Sequence, residues 1–325
     1  KLFTLMKTNS KAPFKSKIRV ADYIAQFLVQ KGIRDIFVLT GFGAMYLNDA
    51  IAANPALKYY CVRNEATSPM MAEAYARIKQ VPGAVCLTAG PGSTNAVPGL
   101  AEAWVDSAPI IIISGQVDIK HTTHWANLRN LRTFGTAEID IIPVVEPMTK
   151  YAVMITNPES VVYHLEKAHY MATNGRPGPV WIDVPQDVQH ALIDPRKLKM
   201  FKPPKSQVNK TDRKFYKVLD LLKSSKKPLV VAGQGIRQSN AILDFKQLIN
   251  TLNIPFVLTR LGLDMLPYSY PQNMGLSGVK GMRYSAQILK SADFVLVLGA
   301  RLAIPFVGEK LDAFSKNAKI VVIDI

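Results

Sequence analysis

Short apolar runs alternate with helical patterns along most of the chain. Ile36-Phe37-Val38-Leu39 is an uninterrupted apolar run, typical of a strand that is buried on both faces of a sheet. The same alternation predicts helices at 20–31, 45–53, 66–79, 95–106 and 158–173, and strands at 36–39, 59–62, 84–88, 110–114 and 180–184. Strands that alternate with helices in this way predict βαβ units and a parallel sheet.

A second α/β pattern follows a proline- and lysine-containing segment. Residues 191–212 include Pro195, Pro203 and Pro204 among several lysines, which is typical of an exposed linker. Beyond it, the pattern predicts helices at 213–224 and 240–252 and strands at 229–232, 255–259, 294–298 and 320–324. We therefore expect two three-layer α/β domains with parallel sheets, at residues 1–190 and 213–325, and the second is expected to be Rossmann-like.

Composition narrows the classes of protein that are compatible with this pattern. The 325 residues are 48% hydrophobic and 20% charged, which suits a globular α/β protein. The longest apolar runs, such as Pro109–Ile113, are far shorter than the about 20 residues of a spanning helix, so we expect no membrane segment. The two cysteines, Cys61 and Cys86, lie in apolar strand patterns and are expected to be reduced core thiols, which favours the cytoplasm.

The net charge of +16 raises the question of a nucleic-acid partner. The basic residues cluster mostly between Arg196 and Lys227, where no aromatic-basic interleaving or nucleic-acid motif accompanies them. We therefore expect the charge to attract anionic substrates or cofactors, and we predict no nucleic-acid partner.

The candidate site lies where two predicted strands end. Glu65 follows the strand at 59–62, and the loop Thr88–Asn95, with its Gly90-Pro91-Gly92 turn, follows the strand at 84–88. Open parallel sheets bind ligands at the carboxyl ends of their strands. Taken by themselves, the acid is more often a helix N-terminal glutamate stabilised by the helix dipole, and the glycines are more often a tight strand-to-helix turn.

The surroundings of Glu65 resemble a known family. Val62–Arg77, and Met71–Arg77 almost residue for residue, resembles the pyrimidine-binding half of thiamine-diphosphate enzymes, most closely the acetolactate synthase group. The loop Thr88–Asn95 is similar to the family's TSGPGATN loop, and Ser114–Val117 is similar to its TGQV segment. The resemblance implies that Glu65 is the catalytic residue, because the matching glutamate hydrogen-bonds the aminopyrimidine ring of the cofactor. It further implies cofactor contacts at Gly41, Gly90, Pro91, Asn95 and Gln116, although a strand-end hydrogen bond is an equal alternative for Gln116.

Two arginines lie in segments that resemble FAD-binding segments of the acetolactate synthase group. Gly175–Pro185 is nearly the group's GRPGPVWIDIP, and Leu296–Leu302 resembles a segment ending in GxRF, so the resemblance implies Arg176 and Arg301 as flavin contacts. The chain departs from the group's pattern at Ala303-Ile304, where an acidic pair is expected, and at Gly278–Gly281, where GMHG is expected. FAD binding therefore stays open on the sequence.

The function that the resemblance implies is that of a lyase or transferase, a 2-keto acid decarboxylase and carboligase that works as a homodimer or tetramer. Mg²⁺ is expected in a third, diphosphate-binding domain, because no Gly-Asp-Gly motif occurs here, and no metal site is expected in this chain. The chain by itself is then expected to be inactive. Ala137 stands where acetolactate synthases carry an amide, so acetolactate as product stays open. The alternative function is that of a non-catalytic homologue that serves as a regulatory or assembly module.

Overall fold

The computed structural model describes residues 17–128, 130–204, 213–309 and 314–325. The chain divides into two compact units, Lys1–Pro204 and Lys205–Ile325. The predicted linker at 191–212 falls partly outside the described residues, at 205–212. Its first residues belong to the first unit, because Leu192–Ile193 pairs with Ile18–Arg19.

Parallel strands form the centre of the first unit, as the pattern predicts. The described strands are β1 (Ile18–Arg19), β2 (Asp35–Val38), β3 (Lys58–Cys61), β4 (Gly83–Leu87), β5 (Ile110–Gln116), β6 (Tyr151–Met154), β7 (Val180–Pro185) and β8 (Leu192–Ile193). Six of them form one parallel sheet in the order β3-β2-β4-β5-β7-β6, whereas β1 and β8 form a separate antiparallel pair. Because β3 and β4 lie on opposite sides of β2, the chain changes direction across the sheet at β2.

Helices cover both faces of this sheet and produce three layers. They are α1 (Val20–Gln30), α2 (Met45–Ala53), α3 (Thr67–Lys79), α4 (Pro91–Thr94), α5 (Val97–Val105), α6 (Ile142–Val145), α7 (Val161–Thr173) and α8 (Gln186–His190). Alternate residues of β5 face opposite cores: Ile111 and Ile113 pack with α1 and α7, whereas Ile110 and Ile112 pack with Leu100 of α5. An uninterrupted apolar strand is thus buried on both faces.

The second unit repeats this architecture. It contains β9 (Pro228–Ala232), β10 (Phe256–Leu258), β11 (Asn273–Leu276), β12 (Phe294–Leu298) and β13 (Lys319–Ile323), all parallel, in the order β11-β10-β9-β12-β13. Its helices are α9 (Arg213–Ser224), α10 (Gly235–Gln238), α11 (Ile242–Leu252), α12 (Arg283–Ser291) and α13 (Ile304–Val307). Two cores again lie on opposite faces, one around Val230 and Phe256 and the other around Val231 and Val297.

Several elements differ from the expectation. The predicted helix at 95–106 is α5 (Val97–Val105), whereas α4 (Pro91–Thr94) is a separate short helix within the predicted loop, and the strands β6 and β11 were not predicted. β6 is a four-residue edge strand, and β11 contains Gly275 at φ 74°, so neither has a long apolar run. Within the described ranges, no helix is long and apolar enough to cross a membrane.

Candidate functional site

Two loops meet at the carboxyl ends of β2 and β4, where the chain changes direction across the first sheet. The Gly43 N–H donates to Thr88 Oγ1 over 3.1 Å. A Cβ on Gly41 would lie 2.5 Å from Thr88 Oγ1, so this position has no room for a side chain. Crevices at such a switch point are the usual ligand sites of open α/β sheets.

Glu65 lies beside this crevice, after β3, and it is joined to the second loop. Asn95 Nδ2 donates to Glu65 Oε2 over 2.6 Å. The other carboxylate oxygen, Oε1, has no hydrogen-bond partner in the described part of the chain, and a Cβ on Gly92 would lie 3.3 Å from it. The Glu65 carbonyl accepts from Ser68 N and Oγ, so the same residue also helps to begin α3. Glu65 therefore offers one oriented, partly exposed carboxylate oxygen to a ligand.

The turn after β4 requires glycine at residue 90. Gly90 has φ 61°, and a Cβ there would overlap the Ala137 carbonyl oxygen. Ser93 Oγ donates to the Thr88 carbonyl over 2.5 Å, which closes the turn, and Pro91 is exposed at the start of α4. The turn is thus packed against backbone on one side and leaves Pro91 and Asn95 exposed on the other.

Gln116 ends β5 in a buried polar network. Its Nε2 donates to the Ile139 carbonyl over 2.9 Å and to Asp183 Oδ2 over 3.2 Å. Ser114 Oγ donates to Asp183 Oδ1 over 2.6 Å and accepts from Trp181 Nε1 over 2.7 Å. The structure thus gives Gln116 the strand-end hydrogen bonds that were its alternative, and a contact with a ligand stays a prediction.

Sequence reasoning missed the acid at the centre of this network. Burial raises the pKa of Asp183 to about 7, and the Asp140 charge adds to the effect, while hydrogen bonds from Ser114 and Gln116 oppose it. The sequence does mark this pair, because Ser114 and Asp183 are polar residues within apolar strands. In the structure they are direct partners in the β5–β7 register.

A second missed acid, Glu138, joins two turns beyond β5. Its Oε1 accepts from Thr123 N (2.5 Å) and Thr123 Oγ1 (2.7 Å), and its Oε2 accepts from Phe134 N (2.8 Å) and Gly135 N (3.2 Å). Burial alone would raise the pKa of Glu138, but these hydrogen bonds outweigh it and lower the pKa. The carboxylate is therefore held as an anion by three backbone N–H groups and one hydroxyl.

Of the two arginines predicted to contact FAD, Arg176 lies in the first unit away from Glu65, and Arg301 lies in the second unit. Arg176 is exposed in the turn before β7, at the amino edge of the sheet, whereas Glu65 follows the carboxyl end of β3. Arg301 is exposed in the second unit, after the carboxyl end of β12. The structure therefore does not bring Arg176 to the edge that carries Glu65, Gly41, Gly90 and Asn95.

No group of three or more metal-ligating His, Cys, Asp or Glu side chains occurs among the residues that the structure describes. Both cysteines are free thiols; Cys86 is buried as expected, whereas Cys61 is exposed at the end of the edge strand β3.

Comparison with known proteins gives one family for both units. Residues 18–131 match the family described as thiamine pyrophosphate enzyme, N-terminal TPP binding domain, and residues 216–325 match thiamine pyrophosphate enzyme, central domain. Thiamine pyrophosphate is another name for thiamine diphosphate. The matched ranges include the loops after β2 and β4 and the Glu65 turn.

Similar full-length proteins carry acetolactate synthase names. Acetolactate synthase 1, chloroplastic, of Nicotiana tabacum is 32% identical over 309 residues, which are 94% of this chain and 44% of the relative. The acetolactate synthase isozyme 1 large subunit of Escherichia coli is 30% identical over 305 residues, and the large subunit of Lactococcus lactis is 32% identical over 310 residues; each match covers 94% of this chain and 52% of the relative. The chain thus spans about half the length of these relatives.

Proposed function

The chain belongs to the thiamine pyrophosphate enzymes, and we propose that it forms the N-terminal and central part of a 2-keto acid decarboxylase and carboligase resembling acetolactate synthase. The observation that carries the proposal is the Glu65 carboxylate, which lies at the switch point of the first sheet and is oriented by Asn95 of the glycine turn. The names of the relatives support the reaction class, and no observation favours a non-catalytic module.

The residues at this edge fit the aminopyrimidine end of thiamine diphosphate. Glu65 Oε1 lacks a donor in the described residues, so it can accept a hydrogen bond from the ring or share a proton with it. Asn95 donates a hydrogen bond to the other oxygen and restrains its position. At Gly41, Gly90 and Gly92 a Cβ would meet Thr88 or Ala137, so the absence of side chains lets these loops pack closely beside Glu65. The cofactor, when bound, supplies the electron sink for cleavage of the bond beside a carbonyl.

The described residues do not account for binding of Mg²⁺. The described residues offer no cluster of metal ligands, and the relatives are about twice as long as the matched region. We propose that a diphosphate-binding domain supplies the Mg²⁺ site, and that this chain by itself is inactive.

FAD binding, with Arg176 and Arg301 as its contacts, stays a prediction. Arg176 and Arg301 are exposed, and the N–H groups of Gly233 and Gly235 already donate to the carbonyls of Leu298 and Gly299. That glycine turn therefore does not offer these two N–H groups to a phosphate. On the same edge, buried Arg237 Nε and Ser277 Oγ have no partner among the described residues, which leaves polar atoms available to some ligand.

The donor substrate is proposed only by class, as a 2-keto acid. Ala137 stands beside the glycine turn with its carbonyl against Gly90. Its methyl group cannot donate a hydrogen bond, so a keto-acid oxygen at this position would need a different donor. Substrate choice within the class is therefore expected to differ from that of a protein with an amide here.

We also propose a homodimer or tetramer in the cytoplasm. The helices α3 and α5 leave large apolar side chains exposed, among them Met71, Ile78, Trp104 and Val105, which would suit burial against a second copy.

The two free cysteines are compatible with a reducing compartment such as the cytoplasm, although several plant relatives are named as chloroplastic.

Carbon dioxide release by the full-length gene product tests the reaction. We expect release from a 2-keto acid only when thiamine diphosphate and Mg²⁺ are both present. Glu65→Gln should lower the rate by at least about 100-fold, as loss of a general acid–base group does. Equal release by the Glu65→Gln variant would overturn the role of Glu65, and no release from a panel of 2-keto acids would overturn the reaction class.

A further inference from the structure

The segment at residues 133–139 lies between the glycine turn and the end of β5, and it contacts both. On one side, a Cβ on Gly90 would overlap the Ala137 carbonyl oxygen, so the two backbones touch. On the other side, Gln116 Nε2 donates to the Ile139 carbonyl over 2.9 Å. The two carbonyls flank Glu138, so both contacts are made by its immediate neighbours in the chain.

This segment has little regular structure to hold its shape. No helix or strand covers residues 133–139, and Ala137 has φ 57°, a left-handed conformation that is unfavourable for a residue with a Cβ. Residues 133, 134, 136 and 137 are exposed, so hydrophobic burial contributes little there. Something else must hold the strained backbone in place.

The Glu138 carboxylate provides that restraint. It is 9% exposed and accepts four hydrogen bonds, two from Thr123 in the preceding turn and two from the backbone of Phe134 and Gly135. Hydrogen bonds to an ionised acceptor are about twice as strong as neutral ones. Without the carboxylate, the N–H groups of Thr123, and of Phe134 and Gly135 at the start of the segment, lose their acceptor.

We propose that Glu138 is a positioning residue, which fixes residues 133–139 against the glycine turn Gly90–Gly92 and thereby sets the shape of the pocket in which Glu65 acts. The connection from Glu138 to the pocket runs through backbone, by way of the Ala137 carbonyl at Gly90. The inference rests on the proposed function for its consequence in catalysis, but the mechanical coupling between the two loops can be measured without it.

The test is amide hydrogen exchange on the full-length gene product with Glu138→Gln, which keeps the size of the side chain but places an amide N–H₂ against N–H donors. Exchange should increase at Thr123, Phe134 and Gly135. It should also increase about tenfold or more at Thr94 and Asn95, whose N–H groups bond to Gly90 and Pro91 in the glycine turn. Glu146→Gln, which changes an exposed glutamate of the same unit, is the matched control and should leave residues 88–95 unchanged.

Thr123→Val gives a milder second variant if Glu138→Gln does not fold, because it removes only the 2.7 Å hydroxyl bond to Glu138. In thiamine-diphosphate titrations, the coupling predicts a dissociation constant raised about tenfold in Glu138→Gln relative to Glu146→Gln, with a kcat at saturating cofactor that changes by less than about threefold.

An increase in exchange confined to residues 122–139 would overturn the inference. Failure of the unmodified protein to bind the cofactor would overturn the proposed function instead, while exchange at Thr94 and Asn95 would still decide the inference.

Discussion

Asn95 and Glu65 come from loops 30 positions apart in the chain and are joined by a 2.6 Å hydrogen bond from Asn95 Nδ2 to Glu65 Oε2. One oxygen of the carboxylate is thereby fixed, and the other is left without a donor in the described residues. The pair links the loop after β3 to the loop after β4, across the strand at which the chain changes direction.

Removal of the amide should weaken cofactor binding. A hydrogen bond to a charged group contributes about 1.5–3 kcal/mol when it is buried. Because Asn95 is exposed, we expect Asn95→Ala to cost about tenfold in affinity for thiamine diphosphate, about 1.4 kcal/mol. Asn95→Asp should weaken binding more, since it places a second carboxylate against Glu65. Calorimetric titration of the full-length product measures both, and an affinity unchanged in both variants would contradict a role for this pair.

The glycine turn tolerates no side chain at residue 90. Gly90 and Gly175 both have positive φ, 61° and 63°, but a Cβ on Gly175 would meet nothing within 4 Å, whereas one on Gly90 would overlap the Ala137 carbonyl. Gly175→Ala should therefore cost only the about 1–2 kcal/mol of a left-handed alanine. Gly90→Ala should cost clearly more, because the clash adds to the strain. Denaturant unfolding compares the two variants, and equal losses would show that the Ala137 segment yields freely.

The buried acid Asp183 predicts a pH dependence of stability. Its pKa of about 7 in the folded protein lies above the ordinary value of 3.8, mainly because of burial. The folded state therefore binds more protons than the unfolded state between these values, and the contribution of Asp183 to stability falls as the pH rises from about 4 to about 7. The slope approaches about 1.4 kcal/mol per pH unit.

Asp183→Asn isolates this contribution, because an amide does not titrate. The difference in unfolding free energy between the unmodified protein and the variant should change in favour of the variant as the pH is raised from 4.5 to 7.5. A difference that stays constant over this range would mean that Asp183 has an ordinary pKa in the folded protein. The variant also turns an amide toward Gln116 Nε2, so some loss of stability at every pH is expected.

The hydroxyl of Thr88 is expected to hold the two glycine-containing loops together. Thr88→Val keeps the shape of the side chain but removes the acceptor of the Gly43 N–H. A net hydrogen bond contributes about 1 kcal/mol, and an unpaired buried donor costs up to about 3 kcal/mol. We expect a loss of about 1–2 kcal/mol in thermal or denaturant unfolding. Thr94→Val, which removes an exposed hydroxyl bond to the Pro91 carbonyl, is the control and should cost less.

The sequence pattern was sufficient for the central strands and for the edge strands β3 and β13, but not for the edge strands β6 and β11. Long apolar runs such as Ile110–Ile113 predicted central strands, because residues buried on both faces must be apolar throughout. β6 and β11 are short strands at the edges of their sheets, and their pairing is decided by neighbouring strands rather than by their own composition.

The candidate site was predictable only as far as local motifs extend. Glu65 and the glycine turn stood out because each follows a predicted strand. Glu138 did not, because its importance comes from hydrogen bonds to a turn 15 residues earlier in the chain. Asp183 likewise depends on the register of β5 with β7, which no single segment encodes.

Binding of thiamine diphosphate and Mg²⁺ to the full-length gene product, measured by calorimetry, tests the central claim most directly. We expect tight binding by the unmodified protein and by Glu159→Gln, which changes an exposed glutamate of the same unit. We expect binding at least about tenfold weaker in Glu65→Gln, since the carboxylate no longer accepts from the ring. No binding by the unmodified protein, or equal binding by Glu65→Gln, would contradict the account.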